Sequence, residues 1–134
     1  MPHVSSKKLK KEILNKLYAE FGKAFEESVR KSKTQLFLGD FLTRTEKIML
    51  AKRFAVIYML SKEVPVSYIA ESLGMSYATI FRMSLKYNVG KYSSLLNVIE
   101  RKRTDIWQIL EKILRAGLPP RAGRGRWKFL YERR

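Results

Sequence analysis

Residues Pro65–Asn88 read PVSYIAESLGMSYATIFRMSLKYN, and the fold turns on this stretch. Pro65 suits the first turn of a helix, where its missing amide hydrogen costs nothing. Ile69, Ala70 and Leu73 recur at a spacing that turns them to one side. The small Ala70 lets a second helix cross close by. Gly74 accepts the positive φ that ends a helix in a tight turn. Ser76 caps the next helix, whose inner face is Ile80 and Met83. Each feature is common alone. Together, at these offsets, they predict a helix-turn-helix over about residues 65–88.

Such a motif lays the outward face of its second helix in the major groove of duplex DNA, with the N-terminal residues at the base edges. Here those residues are Ser76, Tyr77, Ala78, Thr79, Phe81 and Arg82, with Lys86 further along near a backbone. Arg82 suits guanine or a phosphate, and Ala78 and Thr79 suit a thymine methyl. Phe81 beside Tyr77 is the odd feature. Burial against the N-terminal helices and contact with a base both account for it.

Charge points the same way. Twenty-eight Lys and Arg against twelve Asp and Glu leave a formal charge of +16 on 134 residues. A domain this basic repels itself, and a polyanion such as nucleic acid relieves the repulsion. Hydrophobic residues make up 46% of the chain, enough for one compact core.

Outward from the motif the pattern is helical throughout, giving an all-α fold. From Ser6 to about Arg30, Leu9, Ile13, Leu17, Phe21 and Phe25 fall four apart on one face, with Lys and Glu opposite. Ion pairs such as Glu12 with Lys16 are expected on that solvated face. Lys31–Thr34 breaks the pattern, and Gln35–Leu42 reads as a short packed helix. Thr43 and Glu46 form a T-x-x-E capping box that opens a new helix. Val64-Pro65 stops that helix near Lys62. Phe54–Leu60 is apolar on every side, which predicts cover from a second copy in an interlocked dimer. Beyond the motif the chain turns at Gly90. Ser93–Ile99 and Ile106–Leu114 are amphipathic, separated by the charged run Glu100–Arg103, with Thr104 and Asp105 as start signals for the second. Gly117, Pro119 and Pro120 end the pattern. The expected organisation is a single helical DNA-binding domain over 1–117 and a basic tail over 118–134.

Several classes of chemistry are set aside. Absence of cysteine excludes disulfides and thiolate metal sites. His3 stands alone near the N-terminus, and no His or carboxylate cluster has metal-ligand spacing. No glycine-rich phosphate loop is present. Catalysis, a cofactor and a bound metal are therefore not expected. The basic start, Met1–Lys11, leads into no apolar run, and no segment is long enough to span a bilayer. A cytoplasmic protein without a signal peptide is the expectation. In the tail, Gly123-Arg124-Gly125-Arg126 has two readings: Arg124 and Arg126 enter a narrow A·T minor groove, or they meet phosphates while Trp127, Phe129, Leu130 and Tyr131 dock on the core.

The chain resembles the Trp repressor superfamily on LTRTEKIMLAKR (Leu42–Arg53) and IAESLGMSYATIFR (Ile69–Arg82). In that family a capped helix beginning L-T-x-x-E, with Leu and Arg further along, leads into the helix-turn-helix. The matching positions are Leu42, Thr43, Glu46, Leu50 and Arg53. DIWQILEKIL (Asp105–Leu114) is similar to the family's last helix. The resemblance implies a helical bundle, an intertwined homodimer and transcriptional repression. It also implies an indole site between two arginines, matched by Arg53 and Arg82, near Thr43. A glycine follows the second arginine in that site, whereas Met83 follows here. Methionine fills the space that the ligand needs, so the expected protein has the fold without tryptophan as corepressor. Arg53 and Arg82 then serve as phosphate or structural contacts. The connection after the recognition helix is also longer than in the family.

The leading expectation is a sequence-specific, dimeric regulator of transcription that binds double-stranded DNA. The alternatives are a transposase accessory protein of a mobile element and a basic RNA- or ribosome-associated protein. Operator and effector are not legible in these residues.

Overall fold

The structure is a computed structural model that describes residues 8–99 and 103–117. Seven helices and no strand occur among the described residues: α1 (Lys11–Arg30), α2 (Thr34–Phe41), α3 (Arg44–Ser61), α4 (Val66–Leu73), α5 (Tyr77–Asn88), α6 (Ser93–Ile99) and α7 (Arg103–Gly117). The all-helical expectation holds. The chain divides into two compact units, Met1–Lys47 and Ile48–Arg134.

In the first unit, α1 begins at Lys11 rather than at Ser6, with Lys10 extended before it and no side-chain cap. Lysines crowd the stretch before Lys11, and cations oppose the positive end of a helix dipole. The helix starts where Glu12 can stand in its first turn. A tight turn follows, with Ser32 at φ 56°. α1 and α2 then pack through rings. Phe21 lies 4.8 Å from Phe41 and 6.1 Å from Phe37, centroid to centroid, and Phe25 lies 5.9 Å from Phe37. Ion pairs on α1 join Glu20 to Lys23 and Glu27 to both Arg30 and Lys31. The expected pair of Glu12 with Lys16 is not among them. The capping box forms as expected. The Thr43 amide donates to Glu46 Oε1 at 2.8 Å, and the Glu46 amide donates to Thr43 Oγ1 at 3.1 Å.

The second unit holds the core. Ala55–Leu60 on α3 are all buried, in one cluster with Val64, with Ile69 and Ala70 of α4, and with Ile80 and Met83 of α5. Ile99 of α6 and Trp107, Leu110 and Leu114 of α7 complete it. Of the helix expected to be apolar all round, Ala55–Leu60 are covered within the chain, in one cluster with the helix-turn-helix and α7, while Phe54 stays 40% exposed. The end of α3 also differs in cause. Glu63 takes φ 60°, and the amides of Glu63 and Val64 return to the carbonyls of Leu60 and Met59. This turn closes the helix before Pro65 is reached. α7 begins at Arg103, so Thr104 and Asp105 lie inside it instead of ahead of it.

Candidate nucleic-acid interface

The turn between α4 and α5 is built by local chemistry. Pro65 is the N-cap of α4, one position ahead of the first helical residue. Gly74 ends α4 in the left-handed conformation, φ 65° and ψ 40°. The Ala70 carbonyl accepts from the amides of both Gly74 and Met75. Ser76 is extended and caps α5, its hydroxyl oxygen accepting from the Thr79 amide at 3.1 Å. These two residues bend the chain so that α5 lays Ile80 and Met83 in the core, 0% and 9% exposed. The inward residues of α4 are Ile69 and Ala70, both buried, with Leu73 half-buried.

At 100° per residue, burying Ile80 and Met83 turns Ala78, Phe81 and Arg82 outward. Ser76, Tyr77, Ala78, Phe81, Arg82 and Lys86 are all exposed, and Thr79 is half-buried. The face has two flanks. On one, the Ser76 hydroxyl donates to Thr79 Oγ1 at 2.8 Å, and Arg82 Nη2 reaches the same oxygen at 3.5 Å. This long contact holds the Arg82 guanidinium along the helix, with Lys86 one turn beyond. On the other flank, the rings of Tyr77 and Phe81 stack, centroids 6.2 Å apart and planes 12° from parallel. They are 57% and 45% exposed.

The sequence-predicted residues Ser76, Tyr77, Ala78, Thr79, Phe81, Arg82 and Lys86 thus sit on one helix or its cap. Arg53 is exposed on α3, outside the motif. Arg124 and Arg126 lie outside the described residues. Sequence reasoning missed Leu85, which is 51% exposed and continues the line of Tyr77 and Phe81. The signal was available, since positions 77, 81 and 85 are four apart. Met83, at the position where the family resemblance implies a glycine, is packed into the core.

Among the described residues, no group of three or more His, Cys, Asp or Glu is placed to hold a metal ion. No helix among them is long and apolar enough to cross a membrane. Residues 16–100 match a family model described as Trp repressor protein. Comparisons with curated proteins and with solved structures return no match.

Proposed function

The chain belongs to the Trp repressor family, whose members are helix-turn-helix DNA-binding regulators, and we propose that it is a cytoplasmic, homodimeric regulator that binds specific duplex sites without tryptophan. One observation carries the reading: behind the Gly74 turn, α5 commits Ile80 and Met83 to the core and leaves Ala78, Phe81 and Arg82 open on the opposite face. A helix presented in this way fits the major groove with its first turns at the base edges. Lys86, Arg53 and the basic tail over 118–134 supply phosphate contacts that raise affinity for any sequence.

Dimerisation is supported by the first unit. Ile13, Leu14, Leu17, Tyr18, Leu36 and Phe41 are all exposed on α1 and α2. Apolar surface of that extent on a soluble chain marks a partner-binding face. The reading without tryptophan is supported by Met83, which is buried at the position where the family resemblance implies a glycine.

The test is a set of binding titrations on duplexes selected from random sequence. Arg82→Ala is expected to cost about 1–3 kcal/mol at the selected site and less on random DNA. Removing residues 121–134 weakens all duplexes alike and flattens the slope of log K against log salt. If Arg124 and Arg126 enter the minor groove, that loss is larger on A·T-rich DNA. L-tryptophan changes neither the binding nor the calorimetric baseline. Structured RNA competing better than duplex DNA would overturn the reading.

A further inference from the structure

Tyr77 and Phe81 stand one turn apart at the start of α5, stacked on each other and about half open to water. Two large rings held in register on a surface need a reason, because covering apolar area is favourable and leaving it wet is not. They adjoin Ala78, whose short side chain keeps the face low enough for another surface to approach. Arg82 and Lys86 line the opposite flank. The charge beside the rings therefore suits a polyanion, and the rings themselves suit something apolar on it.

In the major groove of DNA one base feature answers that description. The edges of adenine, guanine and cytosine offer hydrogen-bond donors and acceptors, whereas thymine also projects a C5-methyl group. A polar edge set against a ring face loses its water and gains no partner. A methyl loses nothing. Each ring has only two rotatable side-chain bonds and rests on its neighbour, so little freedom remains to be lost on contact. We propose that the Tyr77–Phe81 pair reads pyrimidine C5-methyl groups, so that the chain prefers thymine, or 5-methylcytosine, at the step it faces. This inference rests on the DNA reading above and names what one part of that interface recognises.

The experiment uses the full chain and a duplex that it has selected from random sequence. Each thymine is replaced in turn by deoxyuridine, which removes only the methyl. One or two positions are expected to lose affinity by about fourfold, the value of one buried methyl-sized group. Replacing thymine·adenine there by 5-methylcytosine·guanine retains more affinity than cytosine·guanine does. Tyr77→Ala and Phe81→Ala weaken binding to the thymine duplex and abolish the response to deoxyuridine, and Phe81→Leu keeps part of it. Both rings are exposed, so helicity and unfolding midpoint stay unchanged and a folding defect is separable. The proposal is overturned if no thymine responds, or if the response survives in both alanine variants. It is also overturned if Phe81→Ala lowers the sedimenting mass of the DNA-free protein, which would make the rings a contact between copies. Failure to select any preferred duplex would instead sink the DNA reading itself.

Discussion

In the unit that begins at Ile48, the side chains of Val56, Tyr58, Met59, Ile69, Ile80 and Leu114 are fully enclosed. In the unit that ends at Lys47, rings touch rings across α1 and α2, yet no hydrophobic side chain among its described residues is buried. Both are helical and both carry ample apolar residues, so composition does not explain the difference. Closure does. α3, α4, α5, α6 and α7 surround a common centre, whereas two helices side by side always leave their outer faces open. The comparison teaches that the helix-turn-helix sits on a closed core, whereas α1 and α2 by themselves leave apolar faces open.

The largest expected effect separates the two units directly. Ile80→Ala removes a fully enclosed side chain and should destabilise the fold by about 2–5 kcal/mol in denaturant unfolding. Leu17→Ala, at a position 54% exposed, leaves no cavity. In dilute protein its cost should stay below about 1 kcal/mol. If the chain dimerises as proposed, the same change should weaken association in sedimentation equilibrium. Equal, concentration-independent losses for the two variants would break the contrast.

A smaller effect tests the turn that presents α5. A Cβ placed on Gly74 meets no atom within 4 Å, so only its φ of 65° resists substitution. Gly74→Ala should therefore cost about 1–2 kcal/mol in thermal or urea unfolding, with Gly74→Asn recovering part of it. A loss of DNA binding larger than this loss of stability would show that the angle between α4 and α5 had shifted as well.

The smallest effect sharpens the account of the first unit. Gly22 in α1 and Gly39 in α2 have nothing within 4 Å of a built Cβ. In an uncovered helix, Gly→Ala should stabilise by about 0.5–1 kcal/mol at each position. If Gly22→Ala or Gly39→Ala instead weakens self-association while leaving the dilute protein more stable, a second copy approaches the backbone at that glycine.

What the sequence by itself determined is what chemistry within about four residues decides. Gly74 in its left-handed turn, Ser76 capping through its hydroxyl, and the reciprocal Thr43–Glu46 bonds all answer to immediate neighbours. The helix-turn-helix and its exposed residues from Ser76 to Lys86 were legible for that reason. The same holds for the breaks near Lys31 and Lys62, though the second is made by Glu63 at positive φ and not by proline. Only the tertiary structure decided which apolar surfaces are covered. Phe54–Leu60 looked as if they needed a second copy, yet Ala55–Leu60 share one buried cluster with residues of α7, some fifty residues on. The four-residue spacing of Leu85 from Phe81 puts it on the line of Tyr77 and Phe81, but spacing alone does not say that this line stays open. Trp107 is buried with its Nε1–H unpartnered among the described residues, an outcome no local pattern foretells. A turn or a cap is satisfied by bonds that its own segment carries. Burial is a property of whatever arrives from elsewhere in the chain, and periodicity records only that a face is apolar, never what will lie against it.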